Sequence, residues 1–195
     1  MKTAEAILEY AEGLPEGTPI TAKSLLHLGE RASIDQSLSR LVKRGKLIRA
    51  GRGLYARPVV SRFGTRAPAP EKFVELLSAQ TGETVAPNGA AAANLLGLTT
   101  QNPTVNVYLT SGRSRSLSFG KQKVELKHAP RWMLQRPSEK SGHAVRALAW
   151  IGAAHAREAV MRLKSYLNAQ EKRELLAMRL LAPGWMAKEL SALAV

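Results

Sequence analysis

A chain of 195 residues is long enough for one large domain or two small ones, and at 45% hydrophobic residues it can bury a core. Twenty-nine Lys and Arg against fifteen Asp and Glu leave a net charge of +14, which suits a polyanion such as nucleic acid or an acidic membrane face. These residues include no cysteine, which excludes disulfides, Cys-ligated zinc and thiol nucleophiles.

The stretch Met1–Tyr10 reads as a charged amphipathic segment and not as a signal peptide, so a cytoplasmic setting is expected. Ala4 to Gly13 is predicted to be a helix ended by its glycine. A second helix is predicted from Thr21 to Leu28, with Thr21 as cap and Gly29 as stop. A third begins at Ser33, where Ser33 and Gln36 have the spacing of a capping box, and ends at Gly45. Two strands follow, Lys46–Arg49 and Gly53–Arg57, turning through Gly51 and Arg52. Helix, helix, helix and two-stranded wing is the order of a winged helix-turn-helix.

The third helix is where that order meets chemistry. At about 100° per residue, Ile34, Leu38, Leu41 and Val42 share one face and would pack on the first two helices. Gln36, Ser39, Arg40 and Lys43 fall on the other. Gln is bidentate to adenine and Arg to guanine, while Lys and Ser hold phosphates or base edges. Asp35 lies near the helix start, where it favours the dipole or accepts from cytosine. Ten basic residues and one acid occupy Arg31–Arg66, a local +9, whereas residues 1–30 carry −3. Opposite charges on successive elements predict a module with one DNA-facing side. The expected DNA contacts are Ser33, Gln36, Ser39, Arg40, Lys43, Arg44, Arg49, Arg52 and Arg57. The glycines around Arg52 suit a tight turn, a close approach to phosphate, or both. A winged helix that serves only as a protein–protein or RNA-binding scaffold is the alternative.

Gly64, Pro68 and Pro70 mark a linker over Ser61–Pro70. Beyond it, Pro70–Gln80 and Ala90–Leu96 read as helices. The longest charge-free stretch, Thr84–Gly112, contains Pro87 and Pro103 and several Asn and Gln, so it cannot cross a bilayer as a helix. Val105, Val107 and Leu109 alternate with polar neighbours as in a half-buried strand. Arg115–Phe119 and Gln122–His128 form a hairpin around Gly120-Lys121 that sets Leu117 opposite Val124. From Ser141 onward three or four helices are expected, broken at Pro183-Gly184. A second basic cluster, led by Arg113, Arg115, Lys121 and Lys123 and continuing to Arg146, reads equally as a second nucleic-acid face or as a solvated hairpin edge.

Catalysis finds little support. Asp35 is the only aspartate, and two-metal chemistry needs carboxylate clusters. Glu71 with Glu75, and Glu171 with Glu174, read as surface pairs at helical spacing. His27, His128, His143 and His155 lack ligand spacing, and no nucleophile elbow, phosphate loop or dinucleotide fingerprint occurs. No cofactor or metal is expected. Trp132, Trp150 and Trp185 are spaced for packing and not for a stacking platform.

The runs RASIDQSLSRLVKRGKLIRAGRGLYARP (Arg31–Pro58), PNGAAAANLLGL (Pro87–Leu98), VYLTSGRSRS (Val107–Ser116) and LAPGWM (Leu181–Met186), in this order, resemble the AbiEi-type antitoxins of bacterial toxin-antitoxin systems. They resemble most the branch long catalogued as an uncharacterised domain of this length. The resemblance implies an N-terminal winged helix that binds double-stranded DNA at repeated half-sites in its own promoter. It also implies a C-terminal domain that counteracts a nucleotidyltransferase-like toxin. The expected architecture is α+β: a winged helix-turn-helix DNA-binding domain over 1–63, then an antitoxin-like domain over 64–195 with a small antiparallel sheet and a helical C-terminal half. A winged-helix regulator without a toxin partner remains the alternative, and no membrane partner is expected.

Overall fold

The computed structural model describes residues 3–62, 64–101 and 106–194, and its fold is mixed α+β with helix predominating. Contacts divide the chain into two units, Met1–Glu83 with Ser116–Val124, and Thr84–Arg115 with Glu125–Val195. This division differs from the expected boundary at 63/64. The helix beginning at Pro70 belongs to the first unit, and so does the tip of the Gly120 hairpin.

In the first unit, α1 (Thr3–Glu12) buries Ile7 and Ala11, four residues apart and so on one face. The segment expected as a second α-helix is a 3-10 turn, Lys23–Leu28. Thr21 holds its start through a reciprocal pair: Ser24 N–H donates to Thr21 Oγ1 at 3.1 Å, and Thr21 N–H donates to Ser24 Oγ at 3.1 Å. Helix α2 (Arg31–Lys43) starts two residues before Ser33, with Glu30 as its extended cap and no side-chain cap bond. The expected capping box is therefore absent. Ser33 is already helical, and its hydroxyl lies 3.1 Å from Thr3 Oγ1. Arg31 and Ala32 favour helix intrinsically, and Arg31 Nε meets Asp35 Oδ2 at 2.8 Å, an i,i+4 pair that supports the earlier start. Asp35 is thus an ion-pair partner one turn into the helix, not a dipole cap.

Ile34, Leu38 and Leu41 are buried, joined by Ser37, which the sequence pattern did not suggest. Val42 packs partly buried against the same core, whose members run from Ile7 to Tyr55. Strands β1 (Ile48–Gly51) and β2 (Leu54–Ala56) are antiparallel, with a bulge between Arg49 and Gly51. The turn is Arg52-Gly53, one residue later than expected, because Gly53 supplies the positive φ (70°). Ile20 and Tyr55 form a bridge of two backbone hydrogen bonds, 2.8 and 2.9 Å, that backs the hairpin.

The expected linker is itself a hairpin, β3 (Val59–Ser61) with β4 (Gly64–Arg66), paired Val59 to Arg66, Val60 to Thr65 and Ser61 to Gly64. Pro70 opens α3 (Pro70–Thr81), where its fixed φ and missing N–H suit the first turn. Phe73 of α3 meets Phe119 edge-to-face at 5.0 Å.

The second unit contains β5 (Val85–Pro87), unforeseen in sequence, and α4 (Gly89–Leu95), capped by Asn88 accepting from Ala91 N–H at 2.8 Å. Val105, expected to begin a strand, and Asn102 and Pro103 lie outside the described residues; the strand is described as β6 (Asn106–Thr110). With β7 (Arg115–Phe119) and β8 (Gln122–His128) it gives the strand order β5-β6-β8-β7. Leu117 and Val124 are both buried, as the expected hairpin register requires.

A short α5 (Arg131–Leu134) precedes α6 (Lys140–Ile151), α7 (Ala156–Tyr166), α8 (Ala169–Met178) and α9 (Gly184–Leu190), the last following the break at Pro183. Their shared core includes Ala92, Ala93, Leu148, Leu163, Leu175 and Met186. Small residues allow α4 to lie close on α6. A Cβ on Gly89 would sit 2.4 Å from Trp150 Cβ and 2.6 Å from the Arg146 carbonyl. No helix among the described residues is long and apolar enough to cross a membrane.

Candidate nucleic-acid interface

With the apolar side of α2 buried, its remaining residues are sorted by angle. Gln36 and Lys43 point almost directly away from the core, flanked by Ser39 on one side and Arg40 on the other. All four are exposed. Ser33, Gln36, Arg40 and Arg44 also line a groove of about 560 Å³ between α1 and α2, with Thr3, Glu5 and Ser37 among its other walls. One face of α2 therefore carries two amide- or guanidinium-bearing groups, two hydroxyls and a lysine, with Arg44 just past its end.

Charge follows the same side of the sequence. Of the ten basic residues in Arg31–Arg66, Arg31 is paired with Asp35 and Arg66 with Glu16 at 3.3 Å. Like these two, Arg40, Lys43, Arg44, Lys46, Arg49, Arg52, Arg57 and Arg62 are exposed. Arg49 lies on β1, Arg52 in the turn and Arg57 just after β2. Gly51 is half-buried. A Cβ there would lie 3.1 Å from Leu117 Cδ2, so this glycine serves packing, while Gly53 serves the turn and has nothing within 4 Å.

The second basic cluster falls across both units. Lys121 and Lys123 belong to the first unit, Arg113 and Arg115 to the second. Arg113, Lys121 and Lys123 are exposed. Arg115, half-buried, donates to the Arg113 carbonyl at 3.1 Å. Further along, Lys127 meets Glu125 at 3.3 Å, Arg136 meets both Glu139 and Glu174, and Lys140 meets Glu171 at 3.3 Å.

Arg146 is buried completely in α6. Its guanidinium donates to the carbonyls of Met133 (3.1 Å), Gln135 (3.4 Å) and Pro137 (2.7 Å), and Nε has no partner among the described residues. Burial pushes its pKa down to about 10, so it is still charged at neutral pH. Burial, then the charge of Arg146, also lowers the pKa of His143.

Glu171 and Glu174 are more than surface pairs. Glu171 closes a capping box with Asn168 at the start of α8, and Glu174 accepts from Ser141 Oγ at 3.1 Å. Trp132 and Trp185 pack against the helical core, while Trp150 is 47% exposed. No group of three or more His, Cys, Asp or Glu that could hold a metal occurs among the described residues.

A family model described as a family of unknown function, DUF6088, matches residues 6–176. Among solved structures, the crystal structure of the RV2827C protein from Mycobacterium tuberculosis aligns with a TM-score of 0.55. The alignment covers 99% of this chain and 76% of that one at 14% identity, a likeness of fold. No curated protein matches.

Proposed function

We propose that this chain, which belongs to the DUF6088 family, binds duplex DNA through a winged helix-turn-helix in its first unit. In this reading α1, the 3-10 turn and α2 are the helical part, α2 is the reader, and the β1–β2 hairpin is the wing. The observation that carries it is the exposed face of α2, where Gln36, Ser39, Arg40 and Lys43 sit together opposite a buried apolar face. Gln and Arg make bidentate contacts with adenine and guanine edges, and Lys and Ser grip phosphates. The Ile20–Tyr55 bridge supports the same reading, because it ties the hairpin to the segment between α1 and the 3-10 turn. The exposed Arg49, Arg52 and Arg57 then supply wing contacts to the backbone.

Following the sequence resemblance, the bound DNA is the protein's own promoter, where binding represses a toxin-antitoxin operon. The second unit counteracts a nucleotidyltransferase-like toxin. The test is binding of the full chain to the DNA upstream of its own reading frame, with competitor RNA present, over a range of salt. Affinity should fall steeply, with a logarithmic slope near −0.9 per phosphate neutralised. Binding that is flat in salt, or abolished by RNA, would overturn the DNA reading. A neighbouring frame encoding a nucleotidyltransferase-like protein would support the toxin partner, and its absence would leave a regulator without one.

A further inference from the structure

We infer that a cleft in the second unit binds a small organic phosphate of nucleoside-monophosphate size. The cleft holds about 460 Å³, within the range of small-molecule sites. It lies where the start of β5, the end of β6 and the end of β8 meet α5, and all its lining residues belong to that one unit. Nothing in it depends on DNA binding by the first unit.

The frame is fixed by the backbone. Ser111 N–H donates to the Thr84 carbonyl at 3.0 Å, Thr84 N–H to Ser111 Oγ at 2.9 Å, and Ala129 N–H to the Thr110 carbonyl at 3.0 Å. Ala129 and Leu134, buried together with Ala86, give an apolar wall. The polar wall is Thr84, Ser111, His128, Arg131 and Gln135, and no Asp or Glu is among the lining residues.

Three of these groups keep bonding capacity for a ligand. His128 Nδ1 lies 2.9 Å from the Gly112 carbonyl. A carbonyl only accepts, so Nδ1 carries a proton and Nε2 is left over. Arg131 is exposed and meets no carboxylate among the described residues. Gln135 Nε2 is closed off from solvent and has no acceptor among the described residues, a costly state for a donor. Its place is enforced. Arg136, next in the chain, takes a φ of 46°, a left-handed conformation that a non-glycine residue adopts at a cost. The buried Arg146 holds that turn through the carbonyls of Met133, Gln135 and Pro137. Packing alone gives no reason to strain a turn and bury an unpartnered amide. A ligand oxygen does, met by rotation about the soft last torsion of the side chain.

Charge and donor number identify the ligand. Arg131 and a protonated His128 match the charge of about −1.5 to −2 on a phosphate monoester at neutral pH. The hydroxyls of Thr84 and Ser111 and the Gln135 amide add donors for a third oxygen, which a carboxylate lacks. Ala129, Pro130 and Leu134 then take the organic part.

The experiment is calorimetric titration and thermal unfolding of the full chain with adenosine 5′-monophosphate, beside adenosine, inorganic phosphate and succinate at one ionic strength. The monophosphate should saturate a single site and raise the unfolding temperature, and the other three should bind at least about tenfold more weakly. Arg131→Gln should weaken it by about tenfold or more. Arg157→Gln, which removes an exposed cation of α7 outside the cleft, should match the parent. Gln135→Met should weaken binding several-fold and leave the free protein at least as stable as the parent, since no paired donor is lost. Absence of saturable binding would overturn the inference. So would equal losses for Arg157→Gln and Arg131→Gln, the mark of general attraction between anions and a basic chain. Succinate or inorganic phosphate binding as tightly as the monophosphate would overturn it too.

Discussion

Arg146 counts toward the +14 of the chain and adds nothing to its surface. Its guanidinium is spent on three main-chain carbonyls between Met133 and Pro137, and Gly142 lets that segment approach, since a Cβ there would lie 2.0 Å from the Arg136 carbonyl. Arg146→Met fills similar volume but leaves buried carbonyls unpaired. It should cost about 3–5 kcal/mol of stability while DNA affinity at 25 °C is unchanged. Chemical denaturation and an anisotropy titration check both halves, and a stable variant with weakened binding would place Arg146 in the interface instead. For the exposed residues of α2 the opposite outcome is expected. Gln36→Ala or Arg40→Ala should leave stability within about 0.5 kcal/mol and lose ~1–3 kcal/mol of preference at one base position. Lys43→Ala and Arg52→Ala should weaken all duplexes alike. Competition between operator and random DNA separates the two classes; equal losses on both for Gln36→Ala would remove α2 as the reader. Counting charges along a sequence cannot tell Arg146 from Arg40. Periodicity can, where the apolar positions are as regular as in α2.

At the scale of elements, what could be read in advance rested on periodicity or on a glycine at a turn or helix end. Helices α1 and α3, the apolar face of α2, and the β7–β8 hairpin all repeat a single face over two or more turns or alternations. What could not be read was decided by competition between neighbours. Ser33-x-x-Gln36 and Asn168-x-x-Glu171 have the same spacing, yet only the second is a capping box, because Arg31 and Ala32 extend α2 past Ser33. The hairpin β3–β4 was hidden by Gly64 and Pro68, which mark loops in sequence but here stand at the start of β4 and just past its end. Two further outcomes test these packings. Gly89→Ala places a methyl against the Trp150 Cβ and the Arg146 carbonyl, so α4 must shift off α6 at a cost of about 1–3 kcal/mol, measurable as a lower denaturant midpoint. Glu174, on α8, is held below its ordinary pKa of 4.5 by Gln170, then Ser141 and the charges of Arg136 and Arg173. A carboxylate whose folded pKa is depressed stabilises the fold fully above its unfolded value and loses that contribution as pH falls through the folded one. Glu174→Gln should therefore lower the unfolding temperature at neutral pH, and the gap to the parent should narrow below pH 4.5. A gap that stayed constant through acid would show that the carboxylate charge is not what α8 uses.

The whole chain was expected to divide at its proline-rich segment, and its contacts divide it elsewhere because residues far apart in sequence share one unit. Ser116–Val124 returns to the first unit from within the second, a long-range pairing that no local pattern announces. One consequence concerns fragments. Every residue of the α1–α2 core, from Ile7 to Tyr55, precedes the β3–β4 hairpin, so residues 1–64 contain that core complete. They lack α3 and with it the Phe73–Phe119 contact. They also lack Leu117, which would sit 3.1 Å from a Cβ on Gly51. The fragment should therefore fold, bind DNA weakly through α2, and unfold at a lower temperature than the full chain. Extending it to Glu83 adds Phe73 without Phe119 and so exposes an aromatic ring, which should lower solubility more than it raises stability. The complementary piece from Thr84 onward retains the helical core, whose members run from Ala92 to Leu193. In a promoter-reporter assay, repression should require residues 1–64. In a growth assay with the neighbouring candidate toxin, protection should require the piece from Thr84. Protection by residues 1–64 alone would place the antitoxin role on the first unit. Repression that appears only with the full chain would show that α2 reads DNA only when Ser116–Val124 is present to complete its unit, and a complex of the two pieces that restores repression would confirm that dependence.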